Sequence, residues 1–112
     1  MKKVFISQPM SGLADAKIKE ERAKATEIVK DYFKDEEVEI IDSYIEDASF
    51  DERSPVYFLG ESIKCLSEAD FIFFAKGWDH SRGCKIEHAI AENYRISYME
   101  DFVGSLIVKV YK

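Results

Sequence analysis

The sequence of 112 residues is poor in cysteine, histidine and proline, with two of each, and no apolar run approaches the roughly 20 residues of a membrane-spanning helix. Each shortage excludes something. Cys65 and Cys84 have neither metal-type nor redox-type spacing, and His80 and His88 stand eight apart without a second pair of ligands, so no metal site is expected. No membrane partner is expected either, and the opening Met-Lys-Lys-Val-Phe-Ile-Ser is too short and too strand-like for a signal peptide, which predicts a cytoplasmic location. Basic residues are also in deficit. With 16 Lys and Arg against 22 Asp and Glu, the net charge of −6 argues against nucleic acid as a partner, while leaving room for one local basic pocket. No repeat, linker or low-complexity segment breaks the chain, which predicts one domain over residues 1–112.

What is present is enough for one packed core: 46% of the residues are hydrophobic, and 13% are aromatic. Lys3 to Ser7 is a short apolar run that "SQPMSG" breaks, and Asp15 to Phe33 then carries Ile18, Ala25 and Val29 at helical spacing. Val38 to Ile41 is a second apolar run, and Ser54-Pro55 opens a second helix, the serine as cap and the proline at the first helical position. "DFIFFA", Asp70 to Ala75, is apolar on both faces, as a central parallel strand must be. Gly77 to Arg82 reads as a loop and Gly83 to Asn93 as the third helix. Arg95 to Met99 and Ser105 to Val110 read as two more strands. This alternation predicts a three-layer α/β domain with a mostly parallel, doubly wound sheet of flavodoxin-like or Rossmann-like type, and the expected strand order is 2-1-3-4-5 or close to it.

In such sheets ligands bind beyond the carboxyl ends of the strands, where strand order reverses. That rule selects "SQPMSG" after the first strand, which holds Ser7, Gln8, Pro9 and Met10, then "DSY" with Asp42 and Tyr44, and "KGWDHSRG" after the third strand. Ser81, Arg82 and Gly83 stand at a helix start, where unpaired N–H groups, a hydroxyl and a guanidinium suit a phosphate or carboxylate; alternatively Ser81 is only a cap and Arg82 only a solvated charge. Glu87 lies one turn on from Gly83 and borders the apolar face made by Ile86, Ala89 and Ile90, so a carboxylate held there can be a nucleophile or an acid–base group rather than a surface charge. Arg22 interrupts the apolar face of the first helix, and either reaches the site or pairs with an internal acid. Pro9 either stops the strand or turns the backbone so that Gln8 and Met10 line the pocket.

"VFISQPMSG", the helix with Arg22, the "AD" before the apolar strand and "GWDHSRGCKIEHAIAENYRI" together resemble the nucleoside 2-deoxyribosyltransferase superfamily, which includes 2'-deoxynucleoside 5'-monophosphate N-glycosidases, with most likeness to its small phage-type members. The resemblance spans nearly the whole chain, and its most specific part is Ser81-x-Gly83-x-x-x-Glu87-x-x-x-Ala91. It implies that Glu87 attacks C1' of a nucleoside or nucleoside 5'-monophosphate, that Ser81 contacts a 5'-phosphate, that Gly83 lets the ligand approach, and that Trp78 or Phe5 stacks on the base. It implies no metal and no cofactor, and a homodimer or higher homo-oligomer. Two positions depart from the pattern. Phe5 stands where such enzymes commonly carry a Tyr that orients the Glu, and Ser62 stands in place of an Asp in the second helix; Asp42, Asp79 and Tyr44 are then the expected sources of polar contacts. The alternative is a nucleotide-binding module that senses or sequesters its ligand without cleaving it.

Overall fold

Period-two alternation in the first strand sets the layers. In the computed structural model, which describes residues 1–43 and 54–112, β1 (Lys2–Ser7) turns Val4 and Ile6 to one face of the sheet and Phe5 and Ser7 to the other. Helix α1 (Asp15–Tyr32) covers the first face with Ala25 and Val29, packed against Val4, Ile6, Phe71, Phe73 and Met99. Helices α2 (Pro55–Leu66) and α3 (Arg82–Asn93) cover the second, where Leu66, Cys84 and Ala91 meet Phe5, Ile72, Phe74 and Tyr98. The central strand β3 (Phe71–Phe74) is buried at all four positions, as its unbroken apolar sequence requires.

The sheet order is β2-β1-β3-β4-β5, with β2 (Val38–Ile40), β4 (Tyr98–Phe102) and β5 (Ser105–Lys109) completing it. β1 pairs in parallel with β2 and with β3, β3 pairs in parallel with β4, and only β5 runs antiparallel, joined to β4 by a tight turn at Val103-Gly104. The fold is therefore the expected single three-layer α/β domain, with strand order reversing between β1 and β3.

Local chemistry sets the boundaries. Ser54 Oγ accepts from the Tyr57 amide at 3.2 Å and Pro55 opens α2, as read from sequence. Ser81 Oγ accepts from the Cys84 amide at 3.4 Å, so α3 starts at Arg82, one residue before the expected Gly83. The fourth strand is shifted: Arg95 takes φ +57° and closes α3, with the Ile96 amide bonded to the Ala91 carbonyl, so β4 begins at Tyr98 and not at Arg95. A strand cannot start on a residue that ends a helix in the left-handed conformation.

Candidate functional site

Register brings the ends of β1 and β3 side by side. Ser7 lies opposite Phe74, and the Ala75 amide bonds the Ser7 carbonyl at 2.8 Å, so the segments after both strands leave the sheet together and wall one cleft of about 1360 Å³. That exceeds the usual ligand-pocket range of about 300–1000 Å³, so volume does not exclude a ligand as large as a nucleotide. Gly77 holds φ +87°, and a Cβ there would stand 3.4 Å from Pro9 Cγ; glycine at this position lets the two loops pack.

Glu87 forms the floor. It is 4% exposed, because α3 buries its Cys84, Glu87 and Ala91 stripe against α2 and the sheet. The Ser7 hydroxyl donates to Oε1 at 2.6 Å and the Ser62 hydroxyl to Oε2 at 2.7 Å, so both carboxylate oxygens are held. Among the described residues no Lys or Arg pairs with it. Burial pushes its pKa above the usual carboxylate range, and the two hydroxyls oppose that rise by bonding the charged form. The result is an oriented carboxylate with access to the cleft and, among the described residues, no counter-ion.

The α3 start lies one turn above. Gly83 is open: a Cβ there meets only Leu59 Cδ1, at the ordinary contact distance of 3.8 Å, so internal packing does not demand glycine. Arg82 is exposed, and Ser81 lines the cleft while its oxygen caps the helix, leaving the hydroxyl proton to donate elsewhere. Burial raises the pKa of Cys84, against the lowering effect of the Ser7 and Ser81 hydroxyls, which keeps this thiol in its protonated form.

Residues 2–100 match the family described as a domain of unknown function, DUF4406. The chain belongs to the DUF4406 family. No curated protein and no solved structure matches it.

Within this DUF4406 domain the other residues singled out from sequence divide into two groups. Pro9 and Met10 line the cleft, and so does Gln8, but the Gln8 amide is engaged: Nε2 donates to the Ile18 carbonyl at 3.1 Å, and Oε1 accepts from Arg22 at 3.2 Å. Arg22 also donates to the Ile41 carbonyl at 2.8 Å, so it braces the β1 loop against the end of β2 and is bonded to a cleft-lining residue, Gln8, rather than, among the described residues, to an acid. Burial lowers the Arg22 pKa, with Asp42 opposing. Phe5 reaches the cleft floor but is only 1% exposed, so it offers no ring face to a base.

Three residues expected near the ligand do not line the cleft. Trp78 stacks on His88, with centroids 4.4 Å apart and planes 16° apart, and packs on Phe74 and Phe102; a turn of 3-10 helix (Trp78–His80) rotates the indole into this apolar cluster, behind α3. Asp79 sits 3.8 Å from His80, and Asp42 is exposed beyond the end of β2. Tyr44 lies outside the described residues. His88 bonds Glu100 at 2.5 Å and Glu92 at 3.0 Å, off the Glu87 side of the helix. Two contributors escaped sequence reading. Ser62 read as a lost acid, yet it holds the carboxylate, while its neighbour Glu61 pairs with Lys64 at 3.1 Å. The second is Phe58, whose four-residue spacing from Ser62 was the signal available.

Proposed function

We propose that the domain cleaves, or exchanges, the N-glycosidic bond of a nucleoside or nucleoside 5'-monophosphate through a covalent glycosyl–Glu87 intermediate. The observation that carries this reading is Glu87 itself: a buried carboxylate without a paired cation among the described residues, both oxygens oriented by hydroxyls, open to a cleft at the switch point of the sheet. The resemblance in Ser81-x-Gly83-x-x-x-Glu87 supports the same chemistry.

In the first step Glu87 attacks C1', the C1'–N bond breaks, its electron pair passes to the base nitrogen, and the base leaves with a proton taken from solvent. In the second step water, or the nitrogen of another base, attacks C1' and expels the Glu87 carboxylate, with loss of one proton. Ser7 and Ser62 keep the carboxylate aimed, and the α3 start with Ser81 and Arg82 receives a phosphate.

A second reading is favoured by one observation. The position beside Glu87 that an acid would occupy holds Ser62, so among the described residues the carboxylate is bonded by hydroxyls and by no carboxylic acid. Among the described residues, that arrangement suits a module that binds a nucleotide without cleaving it. Incubation with a panel of nucleosides and 5'-monophosphates, following free base by chromatography with Glu87→Ala as control, separates the two: base release that needs Glu87 supports catalysis, and ligand binding without release supports the module.

We also propose self-association. The exposed apolar residues Leu106, Ile107 and Val110 at the β5 edge support it. A monomeric mass by light scattering at high concentration would remove it.

A further inference from the structure

Beside Glu87 lies a buried thiol that the proposed reaction does not use. Cys84 is 2% exposed, and on α3 it stands three residues after the Ser81 cap and three before Glu87, on the same buried stripe. Its side chain is hydrogen-bonded to the Ser7 and Ser81 hydroxyls. Cys84, Ser7, Ser81 and Glu87 thus form one polar cluster in the cleft lining, fed by β1 and by the start of α3.

Counting hydrogens gives this cluster a direction. An ionised carboxylate only accepts, so Ser7 commits its single hydrogen to Glu87 Oε1 at 2.6 Å. Toward Cys84 the Ser7 oxygen can then only accept, and the thiol must donate. That uses the one hydrogen of the thiol, so between Cys84 and Ser81 the sulfur accepts and the serine donates. Ser81 can do so, because its oxygen caps α3 by accepting from the Cys84 amide at 3.4 Å, a bond that leaves its own hydrogen unused. The donors therefore run in one order, from Ser81 to Cys84 to Ser7 to Glu87. Burial favours the protonated thiol, which is the form this order needs.

Ser7 is only 1% exposed, so the protein and not water sets the direction of its hydroxyl. A donor on its oxygen leaves its hydrogen aimed at the carboxylate, and hydrogen bonds in such a chain strengthen one another by roughly 10–30% per bond. Among the described residues the other group bonded to Glu87 is the Ser62 hydroxyl, which is neutral, so no ion pair masks an effect of this size.

We infer that Cys84 is a positioning residue for Glu87: its thiol holds the Ser7 hydroxyl as a donor to the carboxylate and joins that bond to Ser81 in the cleft wall. As a statement about the acting carboxylate it rests on the functional reading above, although the chain of bonds exists without a ligand.

Carboxyl-carbon NMR titration of Glu87 in the ligand-free chain tests it. Cys84→Ala should move the Glu87 midpoint up by roughly 0.2–0.6 pH unit, because a weaker bond from Ser7 favours the ion less. Cys84→Ser keeps a donor at this place and should return the midpoint to the wild-type position. With Ser7→Ala in the background, Cys84→Ala should leave it in place, because the thiol acts through Ser7. If Cys84→Ala does not fold, Cys84→Val, which has no donor, carries the same comparison. A midpoint that stays or falls in Cys84→Ala, or that shifts equally with and without Ser7, overturns the inference. So does Cys84→Ser titrating like Cys84→Ala, the result expected of a residue that only fills space. No substrate enters these titrations, so their outcome is separate from base release, on which the functional reading stands or falls.

Discussion

The Ser62 hydroxyl lies 2.7 Å from Glu87 Oε2, a contact between α2 and α3 that completes what Ser7 begins from β1. Three elements thus converge on one carboxylate. A hydroxyl orients an ion without adding charge, so Glu87 has no paired cation among the described residues and keeps its nucleophilic electron pairs.

Ser62→Ala removes one hydrogen bond to a charged, buried group. It should cost about 1.5–3 kcal/mol of stability by denaturant titration, and it should move the Glu87 pKa further up, since the lost bond favoured the ion. In the enzyme reading the acid limb of the pH–rate profile then shifts to higher pH. A profile that moves down or stays in place would contradict the orienting role.

Glu87→Gln tests the electrostatics of the fold. Burial raises the folded pKa above the unfolded value, so the protonated form contributes stability that is full below the ordinary Glu pKa near 4.3 and is lost as pH rises through the folded pKa. Glutamine cannot ionise. The difference in Tm, variant minus wild type, should therefore grow as pH rises above the ordinary Glu range, and a pH-independent difference would be the contrary result. Turnover that survives this substitution would end the covalent mechanism.

Arg82 is exposed at the first position of α3 and contributes little to the core. Arg82→Ala should weaken 5'-monophosphates by about 1.5–3 kcal/mol and free nucleosides far less, because only the former offer a charge-assisted partner. Equal losses in both ligand classes would place the anion elsewhere.

Gln8→Ala leaves the Ile18 carbonyl and one Arg22 nitrogen without their partner beneath the cleft. The Gln8–Ile18 bond is buried and Arg22 is half-buried, so the expected loss is about 1–3 kcal/mol in urea titration. A loss within about 0.5 kcal/mol, the usual range for a surface substitution, would mean that water replaces the amide.

Much of this molecule was legible in one dimension. Helices were readable because capping and periodicity are local: Ser54-Pro55 and Ser81 signal their starts within a few residues. The mostly parallel sheet followed from alternation and crossover handedness, and the expected order 2-1-3-4-5 is the one found. The start of β4 was not legible, because Arg95 adopts a left-handed conformation that nothing in its residue type demands.

The sequence by itself determined the layers and the alternation that builds the sheet, since both depend on spacing along the chain; it placed Glu87 at the border of a face made by Ile86, Ala89 and Ile90, whereas in the structure Ile86 and Ala89 are exposed and the buried stripe is Cys84, Glu87 and Ala91. Tertiary structure alone decided which groups meet. Ser7 and Glu87 are 80 residues apart, and their bond exists because β1 lies beside β3 and α3 packs across both. Likewise Trp78 stands at the cleft by position in the chain, yet one turn of 3-10 helix swings its ring onto His88, where an apolar cluster outcompetes the solvated cleft. Direction of a side chain is set by what it packs against, and that information is spread over residues no local window contains.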